Sequence, residues 1–79
     1  MIYIYGTDQC TLCKMAIKDA KKEKKEYTFK NVSFKKFYAE MIERGGDPRK
    51  VPQIWWDDEY LGDYNGFCEK LFWTNMTPH

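Results

Sequence analysis

The sequence predicts a small α/β domain: a mixed sheet with helices on both of its faces. Three observations carry this prediction. The chain has 79 residues, the length of one domain. Two β-rich segments, Ile2 to Tyr5 and Tyr27 to Val32, flank an amphipathic helical stretch, the pattern of a parallel strand pair joined by a right-handed crossover. A third such segment, Pro52 to Trp56, is followed after the tight turn Asp57-Asp58 by Glu59 to Gly62, which reads as a hairpin.

Each element has its own reason. Ile2-Tyr3-Ile4-Tyr5 is apolar or aromatic at every position, as expected of a central strand covered on both sides. Gly6 to Gln9 is a polar turn. Cys13, Ala16, Ile17 and Ala20 then share one helical face, opposite Lys14, Lys18, Asp19, Lys21 and Lys22. The lysines near the end of this helix suit its dipole. Tyr27 to Val32 alternates and is rich in β-formers, so it reads as a half-covered strand. Ser33 is the expected N-cap of the next helix. Phe34, Phe37, Tyr38, Met41 and Ile42 give the clearest helical period in the chain, and Gly45-Gly46 closes it. Residues 47–50 form a loop. Pro52 opens a strand where no ladder donor is missed. Trp55 and Trp56, adjacent in that strand, must face opposite sides. Tyr64, Phe67, Cys68, Leu71 and Phe72 repeat the helical spacing, with Cys68 read as a small core hydrophobe. Asn75 to His79 reads as a frayed tail. The result is one domain over residues 1–79 in the order βαβαββα.

Composition narrows the function. Hydrophobic residues make up 43% of the chain and aromatic residues 18%, which excludes disorder. Thirteen Lys and Arg against twelve Asp and Glu give a net charge of +1, which argues against nucleic acid as a partner. No apolar run approaches the ~20 residues of a membrane span. The first residues lack the basic and hydrophobic regions of a secretory signal, so the expected compartment is the reducing cytoplasm. Three cysteines there are not a disulfide framework, and the spacing Cys10-Thr11-Leu12-Cys13 suggests a redox pair or half of a metal site.

Placement separates those alternatives. The pair lies between a strand end and a helix start, where unpaired backbone N–H groups and the helix dipole favour a thiolate. Cys10 is then the expected nucleophile and the more acidic thiol. Cys13, one turn into the helix, is the expected resolving thiol. Zinc would need a second tight pair. Cys68 stands alone and His79 is the last residue, so no metal and no permanently bound cofactor is expected.

Tyr5-Gly6, Cys10-Thr11-Leu12-Cys13, Val51-Pro52-Gln53-Ile54 and Leu61-Gly62-Asp63-Tyr64, in this order and spacing, resemble the glutaredoxins, in particular the short bacterial and phage-type members. The resemblance implies the thioredoxin fold. It also implies a monomeric thiol–disulfide oxidoreductase that reduces protein disulfides or glutathione mixed disulfides, with glutathione as co-substrate. Ribonucleotide reductase is an implied downstream partner. By the same resemblance Pro52 follows a cis peptide bond and Val51 offers its backbone to substrate. The implied glutathione contacts are Thr11, Leu12, Arg49, Val51, Pro52, Asp63, Asn65 and Gly66.

Departures from the family pattern are specific. Thr11-Leu12 replaces the usual Pro-Tyr. Asp8 stands where many members carry a cation, and Arg49 and Lys50 are the candidates to replace it. Gly62-Asp63 replaces Gly-Gly, and the Asp63 carboxylate is expected to repel the glutamyl carboxylate. Asn65-Gly66-Phe67 also resembles the Ser-Gly-Phe of NrdH-type redoxins, which take electrons from thioredoxin reductase. The missing Pro also leaves room for an iron–sulfur dimer bridged through Cys10. A non-catalytic binding module would not need two cysteines at a helix start.

Overall fold

The computed structural model describes residues 1–47 and 49–76. Four strands, β1 (Ile2–Gly6), β2 (Tyr27–Asn31), β3 (Gln53–Trp56) and β4 (Glu59–Gly62), alternate with three helices, α1 (Thr11–Lys22), α2 (Lys35–Glu43) and α3 (Tyr64–Met76). The sheet runs β2-β1-β3-β4. β1 is parallel to β2, with Gly6 opposite Asn31. It is antiparallel to β3, with Tyr5 opposite Gln53. β3 and β4 form the hairpin, with an irregularity at Ile54/Trp55. The apolar first strand is central, as its residues require, while every residue of the edge strand β2 is only partly covered.

Alternation along β1 and β3 splits the core in two. Ile2, Ile4 and Ile54 face α1 and α3, meeting Ala16, Ala20, Phe67 and Leu71. Tyr5 and Trp55 face the other way and meet Met41 of α2. Trp55 and Trp56 do lie on opposite faces: Trp55 belongs to the α2 side, and Trp56 packs on the cluster that contains Phe67. α2 is further held by polar contacts. The Tyr5 hydroxyl donates to Glu40 Oε1 at 2.6 Å, Lys30 pairs with the same oxygen, and the Arg44 guanidinium lies 4.4 Å from the centre of the Tyr3 ring.

Several local expectations are corrected. Ser33 is not the cap of α2. Phe34 holds that position without a side-chain bond, because the Asn31 side chain turns the chain first by accepting the Ser33 N–H at 2.9 Å. β2 ends at Asn31, although the Val32 N–H still donates to Gly6 O at 2.9 Å. β3 begins at Gln53 rather than Pro52. α3 continues through Asn75 to Met76 instead of fraying, and residues 77–79 of the expected tail lie outside the described residues. Cys68 is partly exposed beside Tyr64 and not in the core, because the core side of α3 is taken by Phe67 and Leu71. Among the described residues no helix is long and apolar enough to cross a membrane.

Candidate active site

Strand directions bring the singled-out residues to one end of the sheet. β1 and β2 finish there, β3 starts there and β4 finishes there. Each of the three helices begins just after one of these strand ends, so the positive ends of α1, α2 and α3 are all at this end. The turn at residues 7–10, the Val51-Pro52 segment and Asp63 to Gly66 therefore gather at one end, although they lie far apart in sequence.

Cys10 occupies the N-cap of α1, with extended backbone (φ −84°, ψ 111°). Its sulfur takes the place of a capping oxygen and accepts the Cys13 N–H at 3.2 Å. Its own N–H donates to Thr7 O at 3.3 Å, which closes the turn. Cys10 is partly exposed, whereas Cys13 is 1% exposed, and both are free thiols. Burial, followed by a hydrogen bond to the Cys10 sulfur, pushes the Cys13 thiol up to about 12. The pair is thus one accessible sulfur with a protonated thiol beneath it. Thr11 and Leu12 are exposed beside the accessible sulfur.

Gly6 makes this packing possible. A Cβ on Gly6 would lie 2.1 Å from Cys13 Sγ, so a side chain there would displace the sulfur. The sequence contained the glycine but no sign of this role. Only the register of β1 against α1 creates the approach.

The Val51-Pro52 peptide is cis, with Pro52 buried and Val51 exposed. Gln53, 1% exposed, ties the segment down. Its Oε1 accepts the Asp47 N–H at 3.2 Å and the Tyr60 hydroxyl. This buried amide joins Asp47 to β3 and β4, and sequence reasoning had assigned it no role. Its position directly after a strand-opening proline was the available signal.

Arg49 and the α3 start already have partners within the chain. Arg49 is 86% exposed, and its Nε sits 3.2 Å from Asp47 Oδ1. The same carboxylate accepts the Arg49 N–H at 2.9 Å, and these contacts hold Asp47 below the usual carboxylate range. Lys50 is exposed, with its N–H bonded to Asp47 O. Asp8, standing where many members carry a cation, accepts from Asn31 Nδ2 at 3.2 Å. Asp63 Oδ1 accepts the Gly66 N–H at 3.2 Å and so caps α3. Gly66 packs where a Cβ would meet Leu61 O at 1.8 Å, a close approach that seats α3 on β4. Asn65 is exposed. Among the described residues no group of three or more His, Cys, Asp or Glu side chains could hold a metal ion.

An accessible cysteine at a helix start, a buried partner one turn on and a cis-proline segment at the same sheet end describe a thioredoxin-fold redox domain. The sequence model of the Glutaredoxin family matches residues 2–61, and the chain belongs to that family. Glutaredoxin 1 from Francisella tularensis, solved with cacodylate, shares 24% identity over 96% of each chain, with a TM-score of 0.72. A buckwheat glutaredoxin–glutathione complex is similar over 95% of this chain and 71% of its own, at 15% identity and a TM-score of 0.73. At these identities the two structures show the fold. No curated protein sequence matches the chain.

Proposed function

We propose that the protein is a dithiol glutaredoxin of the cytoplasm, acting as a single monomeric domain that reduces protein disulfides and glutathione mixed disulfides with electrons from glutathione. The observation that carries this reading is the asymmetry of the cysteine pair: Cys10 is partly exposed and receives the Cys13 N–H, while Cys13 is buried and protonated.

The chemistry follows from that asymmetry. The Cys10 thiolate attacks one sulfur of the substrate disulfide; a Cys10–S bond forms, the substrate S–S bond breaks, and the departing thiolate takes up a proton. Charge on Cys10 Sγ is met by the first N–H groups of α1, which are oriented before the reaction. Cys13 then loses its proton, attacks Cys10 Sγ and expels the second substrate thiol. Two electrons have moved, and the Cys10–Cys13 disulfide is returned to dithiol by two glutathione molecules, which leave as glutathione disulfide. With glutathione attached to Cys10, the mixed disulfide is also resolved by a second glutathione, a route that does not need Cys13.

In this reading glutathione runs along Val51-Pro52 between Arg49 or Lys50 and the start of α3. Thr11 and Leu12 flank the sulfur, and Asn65 and the free N–H groups of the first α3 turn receive the glutamyl carboxylate. The buckwheat glutaredoxin of similar fold was solved as a glutathione complex, which supports glutathione as the ligand. Turnover of a small glutathione mixed disulfide, coupled to glutathione reductase, tests it. Cys10→Ser should abolish turnover and Cys13→Ser should retain it. Turnover that survives Cys10→Ser refutes the reading.

Asp63 favours a second reading. Its carboxylate already occupies one helix-start donor and places a negative charge where a glutamyl carboxylate would sit. An NrdH-type redoxin, reduced by thioredoxin reductase, has no need of that position. Either kind of redoxin could supply ribonucleotide reductase. Asp63→Asn, which retains a capping side chain without the charge, should lower the glutathione KM under the first reading. Efficient reduction by thioredoxin reductase with no glutathione dependence selects the second.

A further inference from the structure

α2 leaves much of its apolar surface uncovered. Phe34, Tyr38 and Ile42, spaced four apart on one flank, are 62%, 44% and 41% exposed. At the N-terminal end of this flank, Phe34, Lys35, Lys36 and Phe37 line a shallow cavity of about 390 Å³. Lys35 and Lys36 are exposed, the Lys36 ammonium lies 5.2 Å from the centre of the Phe37 ring, and among the described residues no carboxylate lines the cavity.

This surface begins at the sheet end that carries the dithiol, on the opposite face of the sheet from α1. The Val32 N–H is bonded to Gly6 O at 2.9 Å, and Gly6 is the residue against which Cys13 packs. Phe34 is two residues further on, a reach of at most ~7 Å. Strand order puts the β2–α2 junction on the opposite side of β1 from β3, β4 and α3. A protein mixed disulfide has two halves. If glutathione takes the Val51-Pro52 and α3 side, the protein half is left with the β2–α2 side.

We propose that the Phe34–Phe37 surface docks the protein half of a disulfide substrate, and that it selects a segment combining an apolar side chain with carboxylates. The apolar side chain enters between Phe34 and Phe37, and the carboxylates face Lys35 and Lys36. The segment starts roughly three or four residues from the reactive cysteine, since extended chain advances ~3.3 Å per residue. The inference rests on the glutaredoxin reading for the substrate but on the surface alone for the docking.

The test uses two synthetic peptides, each with one glutathionylated cysteine followed after three residues by Glu-Leu-Glu-Glu or by Lys-Leu-Lys-Lys. At low ionic strength the acidic peptide should be deglutathionylated with kcat/KM about tenfold higher, mainly through KM. The preference should shrink at 0.5 M salt, where exposed charges are screened. Lys35→Glu with Lys36→Glu should remove or reverse the preference. Phe34→Ala should weaken both peptides about threefold. Neither change should alter turnover of a small glutathione mixed disulfide. Fluorescence anisotropy with the serine-for-cysteine forms of both peptides reads docking without chemistry. Equal affinity for the two forms overturns the proposal, as does a preference that survives the lysine reversal. Tighter binding to anionic vesicles or single-stranded DNA than to the acidic form also overturns it. Absence of turnover on the small mixed disulfide, with acidic-peptide binding intact, instead refutes the glutathione reading and leaves the docking surface standing.

Discussion

Helices α1 and α2 carry comparable apolar stripes, yet they meet the sheet differently. In α1 the inward residues Cys13, Ala16 and Ala20 are all buried. In α2 the clearer stripe buries Met41 alone. The difference lies in the neighbours. α1 shares its face of the sheet with α3, and Ala16, Ala20, Phe67 and Leu71 join Ile2, Ile4 and Ile54 in one cluster. In the other cluster Met41 is, among the described residues, the only buried one from a helix, against Tyr5 and Trp55 of the sheet. α2 makes up part of the deficit with polar and cation–π contacts through Glu40 and Arg44. A helical period says which residues can face inward, and the layer decides how many are covered.

The sharpest consequence on the α1 side is kinetic. Burial is the leading cause of the raised Cys13 thiol. A thiol pushed up to about 12 gains thiolate tenfold for each pH unit below that value. The single-turnover rate of Cys10–Cys13 closure should therefore climb steeply between pH 6 and 9, approaching a thousandfold in all. A flat profile would show that Cys13 is not buried in the reacting state.

On the α2 side the largest effect belongs to Met41, as its sole buried apolar contact. Met41→Ala should cost ~2–5 kcal/mol in denaturant unfolding. A loss below 1 kcal/mol would mean that the polar contacts alone seat the helix. Gly6→Ala probes the packing of α1 by overfilling. With a Cβ 2.1 Å from Cys13 Sγ, it should cost ~1–3 kcal/mol and slow disulfide closure, while glutathione turnover through Cys10 continues.

Glu40 gives the seating of α2 a pH dependence in the acid range. The bonds from Lys30 and then from Tyr5 hold its carboxyl below the ordinary carboxylate range. A depressed folded value stabilises fully above the unfolded value of ~4.3 and loses that contribution as pH falls through the folded value. Glu40→Gln should therefore cost ~1–2 kcal/mol at pH 7. Wild-type and variant stability curves should converge below about pH 4. Parallel curves down to pH 2 would refute the ion pair's contribution. The smallest effects should come from the exposed flank: Tyr38→Ala and Ile42→Ala should each stay within ~0.5 kcal/mol. Losses like that of Met41 would reveal that this flank is covered in solution.

How the chain divides into elements was legible because each has a local cause. The apolar run of β1, the period-four spacings of α1, α2 and α3, and the hairpin after Pro52 are properties of neighbouring residues. So was the placement of Cys10 and Cys13, because a Cys-x-x-Cys at a strand–helix junction needs no distant residue to define it. Local propensity misjudged Ser33 and Asn75, where an Asx turn at Asn31 and the continuation of α3 override it. The tertiary structure alone decided what depends on strand register and layer order. It brought Gly6 against Cys13, made Gln53 the tie between Asp47 and Tyr60, and made the exposed Asp63 the cap of α3. It also left Phe34 in solvent while burying Met41 of the same helix. These are contacts between segments, and the energy of such a contact is absent from either segment read alone.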